Sequence, residues 1–243
     1  MKNVFYLICI VFFASCSKEG EGGSAVISGI VKKEVIAPNG NLIETLPAIN
    51  KDVFIKFGDS EFVNEDVKTN ELGNFELIIL CNFEFSFLCK GDYSIFVYSD
   101  CVDCDSGKES IEQSVELKKF NSTISDLELV VRKTVDYDDG SSSVKGRLMV
   151  QKYVGIFKIG DPYVSQEQEV YIVYGNEEVY FDRMDTGFDG KFEFKNLIKG
   201  EYKLYALSEC GTCDDVYDTI SVTVNVLNNF STENTGDLII DKH

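Results

Sequence analysis

The sequence predicts an all-β fold built from two tandem β-sandwiches of about seven strands each. The first reason is an internal repeat: residues 53–57 (VFIKF) return as residues 170–174 (VYIVY), and residues 91–93 (GDY) return as residues 200–202 (GEY). Two such copies indicate two small domains of one fold. The second reason is a series of short segments rich in β-branched and aromatic residues, and the third is the lack of a long helical period.

The chain begins with a segment typical of a secretory signal. Lys2 precedes an apolar run at residues 4–14, which is too short to span a bilayer and suits a signal-peptide core. The small residues before Cys16 resemble the lipobox of bacterial lipoproteins. The resemblance implies removal of residues 1–15, acylation of Cys16 and attachment to a membrane through that lipid. An ordinary secretory signal with a chance cysteine is the alternative.

Residues 16–24 are expected to form a flexible tether, because glycine, serine and charged residues dominate them. The lysine and acidic residues just after Cys16 resemble the surface-export signal of Bacteroidetes lipoproteins, and Ser17 fits routing to the outer membrane. We therefore expect an outer-membrane lipoprotein at the cell surface, with a periplasm-facing orientation as the alternative.

Strand segments and turn residues then alternate through both copies. The first domain is expected at residues 25–133 and the second at residues 143–242. Acidic, glycine and serine residues at 134–142 predict a solvated linker between them. The strand segments outside the first pair of repeats are residues 93–98, 127–131, 202–207 and 220–226.

The pattern of the repeat resembles a known family. Residues 27–31 (ISGIV), 46–47 (LP) and 90–97 (KGDYSIFV) are similar to the carboxypeptidase-regulatory-like domain, and residues 185–194 (DTGFDGKFEF) and 199–204 (KGEYKL) carry its later half in the second copy. The resemblance covers nearly all of the mature chain. It implies that each domain is an Ig-like sandwich of the prealbumin (transthyretin) type.

Turn glycines and aromatic residues of the repeat are expected at fixed structural positions. Gly73 and Gly190 suit tight hairpin turns, which need positive φ angles. Large aromatic side chains on the strands are expected to fill the space between the two sheets. These residues are Phe75, Phe192, Tyr93 and Tyr202.

The cysteines that follow Cys16 are even in number, which predicts disulfides in an exported protein. They are Cys81, Cys89, Cys101, Cys104, Cys210 and Cys213. Each copy places one C-x-x-C motif in an acidic turn after a strand, and we expect a local disulfide in each turn. One alternative is a zinc site formed by both motifs, which requires the two loops to converge. The other is a redox-active pair, which is typical of a helix N-terminus rather than of a turn after a strand.

Cys81 and Cys89 lie in an insertion that only the first copy has. A straight strand would hold them about 26 Å apart at about 3.3 Å per residue, whereas a disulfide needs Cα atoms within about 7 Å. If they pair, the chain must therefore fold back near residues 83–87. In an extended strand Phe83, Phe85 and Phe87 would form one apolar face, either buried against the sandwich or exposed as a contact surface.

Charge and composition restrict the function. The net charge of −18 disfavours nucleic-acid partners, and the single histidine, His243, leaves no internal residue for Ser-His-Asp or Cys-His catalysis. We expect no catalytic residues, metal or cofactor. The leading hypothesis is a non-catalytic, membrane-anchored module for binding, adhesion or assembly, with an unidentified protein or glycan partner. The alternatives are a metal- or thiol-active protein using the two C-x-x-C pairs and a glycan-capture lipoprotein of an uptake system.

Overall fold

The computed structural model describes residues 19–69, 82–211 and 217–243, and every regular element within them is a β-strand. Contacts divide the chain into two compact units. Unit 1 contains the described residues up to Val35 together with Glu44–Thr134, and unit 2 contains Ile36–Ile43 together with Val135–His243. Cys16, Gly73, Phe75, Cys81 and Cys213 lie outside the described residues.

Unit 1 consists of two four-stranded sheets. Its strands are β1 (Glu21–Ile36), β2 (Leu42–Pro47), β3 (Asp52–Phe57), β4 (Glu65–Lys68), β5 (Asn82–Leu88), β6 (Gly91–Asp100), β7 (Lys108–Leu117) and β8 (Thr123–Thr134). One sheet has the order β2-β1-β5, with β8 also paired to β1. The other sheet has the order β4-β3-β6-β7 and is antiparallel throughout.

Unit 2 repeats this topology. Its strands are β9 (Ser142–Val154), β10 (Phe157–Val164), β11 (Glu169–Tyr174), β12 (Asp182–Asp185), β13 (Lys191–Leu197), β14 (Gly200–Glu209), β15 (Tyr217–Val226) and β16 (Thr232–Lys242). One sheet has the order β10-β9-β13, with β16 parallel to β9, and the other has the order β12-β11-β14-β15. The predicted all-β class and the pair of sandwiches are therefore confirmed, with eight described strands in each copy.

Each core lies between the two sheets of its unit, because alternate residues of a strand point to the same face. In unit 1, Tyr93 and Ile95 of β6 are buried together with Ile27 of β1 and Phe85 of β5. The corresponding cluster of unit 2 contains Tyr202, which is completely buried. Burial of the predicted core residues Tyr93, Phe192 and Tyr202 is thus confirmed.

Thr69 and Thr186 occupy equivalent positions in the two copies, and both are buried and hydrogen-bonded. The Thr69 hydroxyl donates to the carbonyl of Ala48 at 2.5 Å, and the Thr186 hydroxyl donates to the carbonyl of Ser165 at 2.8 Å. The same Thr186 hydroxyl accepts a hydrogen bond from the backbone N–H of Gln168 at 3.2 Å. These bonds hold the loop that leads into β3 or β11, so the repeated Thr sets the position at which the next strand begins.

The hairpin glycine of the second copy has the conformation that the sequence predicts. Gly190 has a φ of 73°, and its N–H donates to the carbonyl of Gly187 at 2.9 Å. A positive φ of this size favours glycine because a Cβ atom would be strained there.

Two boundaries differ from the sequence-based expectation. Residues Glu21 to Ser24, expected within the tether, belong to β1, because backbone pairing with β5 already begins at Glu21. The segment Ile36–Ile43, expected within the first domain, belongs to unit 2, although it includes the last residue of β1 and the first two residues of β2. Its Ala37 is 1% exposed and packs in the core of unit 2, which accounts for that assignment.

The insertion of the first copy does not fold back at residues 83–87, because Asn82–Leu88 form the continuous strand β5. Strand alternation breaks near its end. Phe85 is 1% exposed, whereas Phe87 has a φ of 60° and is 73% exposed. The left-handed backbone at Phe87 turns its own ring outward and lets the Leu88 side chain return to the core. Phe85 and Phe87 therefore do not share the expected apolar face.

Candidate functional site

The C-x-x-C motif of unit 1 is a local disulfide. Cys101 and Cys104 are bonded to each other, with their Cα atoms 5.4 Å apart. Cys89 and Cys210 are also disulfide-bonded. Cys213, the expected partner of Cys210, and Cys81, the candidate partner of Cys89, lie outside the described parts of the chain. The lipidation of Cys16 likewise stays a prediction.

One group of potential metal ligands includes this disulfide. The sulfurs of Cys101 and Cys104 and a carboxylate oxygen of Glu109 lie within 4.8 Å of one another. The thiolate form of cysteine is the metal ligand, and these two sulfurs are joined in a covalent bond. While that bond is intact, the group lacks the thiolates that a zinc site needs.

A groove at one end of unit 2 is the strongest candidate site. Two adjoining cavities of about 580 and 410 Å³ share Gln168, Leu207, Tyr217 and Ile240 in their linings. We call this region the tyrosine groove, because Tyr163, Tyr171 and Tyr217 line it. Residues from seven strands meet here, so the groove is a product of tertiary structure.

Amides and carboxylates form most of the polar lining of the tyrosine groove. These polar residues are Gln166, Glu167, Gln168, Glu169, Asp185, Glu209, Asp241 and Lys242. Several are held in place by hydrogen bonds. The Gln166 amide donates to the carbonyl of Phe188 at 2.9 Å, and Glu209 accepts from the backbone N–H of His243 at 2.6 Å. The groove therefore presents positioned oxygen acceptors beside aromatic rings.

Tyr171 connects the groove to an aromatic stack on the outer face of the same sheet. Its ring lies 4.9 Å from the ring of Tyr205, with the two planes 10° apart, and 4.9 Å from the ring of Tyr180. The Tyr171 hydroxyl donates to Glu169, which also pairs with Arg183. The hydrogen bond to Glu169, followed by partial burial, raises the pKa of Tyr171. Its phenol is therefore protonated at neutral pH.

Unit 1 carries a different set of side chains at the corresponding place. Tyr217 and Gln168 of unit 2 correspond to Lys108 and Lys51 of unit 1. Lys108 pairs with Asp100. Burial, followed by repulsion from Lys108, lowers the pKa of Lys51. The two copies thus share a scaffold, but only the second has tyrosine and amide side chains at these positions.

A larger cavity of about 730 Å³ lies between β9, β13 and the part of β16 around Gly236, where the register of its pairing with β9 shifts. A Cβ atom at Gly146 would lie 2.1 Å from the Thr235 hydroxyl and 2.5 Å from the Phe192 ring, so the glycine lets both side chains pack closely against β9. Arg147 donates to both carboxylate oxygens of Asp237, at 3.0 and 2.6 Å. This cation and carboxylate neutralise each other, which makes the cavity a weaker candidate than the tyrosine groove.

Sequence reasoning did not single out the residues of the tyrosine groove. Tyr171 and Tyr205 alternate with buried residues along β11 and β14, so their outward position was available from the two-residue period of each strand. The meeting of Tyr163, Gln168 and Tyr217 from separate elements had no sequence signal.

No helix with the length and hydropathy of a membrane span occurs among the described residues. No protein-family model matches the chain, so its resemblance to the carboxypeptidase-regulatory-like domain stays a prediction. No curated protein sequence matches it significantly.

Solved structures give weak similarities. The chain is 16% identical to the Bacillus anthracis TIE protein, with 86% of this chain and 33% of that one covered and a TM-score of 0.27. It thus spans a third of the length of that protein. It is 10% identical to GBS52, the minor pilin of Streptococcus agalactiae, with 90% and 98% covered and a TM-score of 0.27. A DUF3823 family protein from Bacteroides uniformis is 10% identical, with 84% and 99% covered and a TM-score of 0.20. Scores this low do not identify a function.

Proposed function

We propose that this chain is a non-catalytic envelope lipoprotein whose second unit binds neutral saccharides in the tyrosine groove. The observation that carries the proposal is the groove itself, where three tyrosines lie beside positioned amides and carboxylates. The signal-like residues 4–14 and the lipobox-like Cys16 support the placement at a membrane, on the outside of the cell or facing the periplasm.

The chemistry of the lining favours a sugar ring over other small ligands. Pyranose rings have apolar C–H faces that pack against aromatic rings, and their hydroxyls donate to amide and carboxylate oxygens. Gln168 and Glu209 provide such oxygens, while Tyr217 is 55% exposed and available for packing. Clefts with an apolar surface and a few placed polar groups are typical of ligand sites.

Charge favours a neutral saccharide. Carboxylates outnumber cations in the groove lining, where Lys242 faces five acidic residues. The chain as a whole carries a net charge of −18. An anionic polysaccharide would be repelled by both the local and the overall field.

The alternative of a metal- or thiol-active protein has less support. Its zinc version needs thiolates from both C-x-x-C motifs, and Cys101 and Cys104 are bonded to each other. A general scaffold or adhesion role is compatible with tandem sandwiches, and a saccharide site would give such a role its ligand.

A glycan array probed with the chain from Ser17 onward, without the lipid-bearing Cys16, tests the proposal. Binding of at least one neutral oligosaccharide is expected, followed by calorimetry on the best one. Tyr217→Ala and Tyr171→Ala should each weaken affinity about tenfold, which corresponds to about 1.4 kcal/mol.

Tyr98→Ala is the matched control, because Tyr98 is a half-exposed tyrosine on the outer face of unit 1. It should leave saccharide affinity unchanged. Equal losses in all three variants would argue against the tyrosine groove, and an array without any neutral saccharide signal would reject the proposal.

A further inference from the structure

One end of unit 1 gathers the first residues of β1 and three turns. Glu21 at the start of β1 pairs with Leu88 at the end of β5. Phe57 at the end of β3 pairs with Tyr93 near the start of β6, and β6 itself starts opposite the end of β7. The β3–β4, β5–β6 and β7–β8 turns therefore lie at the end where the chain enters the sandwich.

This end carries several exposed apolar side chains. We call it the phenylalanine end, after Phe62 (77% exposed), Phe87 (73% exposed) and Phe120 (47% exposed), which are accompanied by the exposed Val63. Single exposed apolar residues are ordinary on a protein surface, but a group of them around one end marks a contact surface.

The chain is fixed to this end from its first described residues. The N–H of Gly20 donates to the Tyr93 hydroxyl at 3.0 Å, and the N–H of Cys89 donates to the carbonyl of Gly20 at 2.8 Å. Residues 17–19 are then all that separates Cys16 from the sandwich. Each residue extends a chain by at most about 3.5 Å, so the Cα atom of Gly20 lies within about 14 Å of the Cα atom of Cys16.

We propose that the phenylalanine end rests on the lipid bilayer that holds the acyl chains of Cys16, with Phe62, Phe87 and Phe120 at the boundary between headgroups and acyl chains. This inference rests on the lipid attachment in the proposed function. A short connection brings that end of the sandwich to the membrane surface, where a buried apolar side chain is more stable than one in water.

Charges at the phenylalanine end are mixed, so the aromatic side chains carry the interaction. Lys90 lies 5.4 Å above the Phe120 ring, and Lys118 and Lys119 flank the same turn. These lysines can approach lipid phosphates. Asp59 and Glu61 in the β3–β4 turn offset that attraction. Binding should therefore depend weakly on the fraction of anionic lipid.

The chain contains no tryptophan, so single tryptophans can report on each position. Phe62→Trp, Phe87→Trp and Phe120→Trp place reporters at the phenylalanine end. Val102→Trp is the matched control, because Val102 is 79% exposed but follows β6 at the opposite end of unit 1. The four acylated full-length proteins are reconstituted into phosphatidylethanolamine–phosphatidylglycerol vesicles whose acyl chains carry bromine.

The three reporters at the phenylalanine end should shift their emission to the blue and be quenched by the bromine, while Val102→Trp should do neither. Unquenched emission from all three in vesicle-bound, acylated protein would overturn this inference and leave the lipid attachment standing. A protein whose mass shows no acyl chains, and which stays in the aqueous phase, would contradict the attachment itself. Quenching of Val102→Trp to the same extent would also overturn the inference.

Discussion

At the scale of single residues, the two copies reach the same unusual backbone angle with different side chains. Phe87 has a φ of 60° near the end of β5, and Asn196 has a φ of 58° at the corresponding position of β13. Asparagine adopts the left-handed region more readily than other residues with a side chain. A phenylalanine there is strained, and strain that persists on an exposed aromatic residue is often linked to function.

The Phe87→Asn variant should be more stable than the natural chain by about 1 kcal/mol, since it relieves most of a left-handed penalty of about 1–2 kcal/mol. Chemical denaturation followed by fluorescence of the tyrosines measures the change. The reciprocal variant Asn196→Phe should lose a similar amount in unit 2. A destabilised Phe87→Asn would mean that the exposed ring packs favourably in the folded state.

At the scale of strands, an ion pair joins two neighbours of one sheet. Arg147 of β9 and Asp237 of β16 are partners in the parallel register, and the guanidinium bonds both carboxylate oxygens. The hydrogen bond from Arg147, followed by a Coulombic contribution, lowers the pKa of Asp237. Two-point contact of this kind is the stronger form of a surface ion pair.

The Asp237→Asn variant should be less stable than the natural chain at neutral pH. The folded-state pKa of Asp237 is lowered, so the stabilisation by this carboxylate is present above the ordinary aspartate value of 3.8 and is lost as pH falls through the lowered pKa. The difference between the two proteins in urea midpoint should therefore shrink in that acid range.

Asp218→Asn serves as the control for this experiment. Asp218 is an exposed aspartate of β15 whose carboxylate accepts a bond from the neighbouring Thr219 N–H. If Asp237→Asn lost the same amount of stability at every pH, Asp237 would act through packing rather than through its charge.

Strand-level features were the most predictable from sequence. Short runs of β-branched and aromatic residues, often in alternation with polar ones, predicted β3, β6, β8, β11, β14 and β15. The end of β5 was not predictable, because the left-handed angle at Phe87 moves that ring to the opposite face. The residues of the tyrosine groove were missed because Tyr163, Gln168 and Tyr217 meet only in the folded unit.

At the scale of the whole molecule, charge repulsion opposes folding. The chain has 41 acidic residues against 23 lysines and arginines. The ion pairs described within it are partly or largely exposed, as are Lys32–Glu128 and Lys68–Asp52. Exposed pairs contribute only about 0–1 kcal/mol each. The surplus of carboxylates therefore dominates the electrostatic free energy of the surface.

Salt should stabilise the protein. Raising NaCl from about 0.01 M to about 0.15 M shortens the Debye length from about 30 Å to about 8 Å and screens the surplus repulsion. Thermal unfolding followed by circular dichroism should show a higher midpoint temperature. The midpoint of a unit should rise by about 4–8 °C for each kcal/mol that salt adds to its free energy of unfolding. KCl at the same ionic strength should act equally, and a midpoint that falls with salt would mean that the ion pairs outweigh the repulsion.

The position of Ile36–Ile43 has a consequence for how this chain can be divided. The core of unit 2 includes Ala37, so that unit is assembled from two stretches of sequence, one before and one after residues 44–134 of unit 1. A cut at residues 134–142 would leave a fragment that lacks part of its own interior. The second copy is therefore not an independent domain that can be transferred alone. Recombination or truncation at residues 134–142 would separate it from the segment that contributes Ala37 to its core.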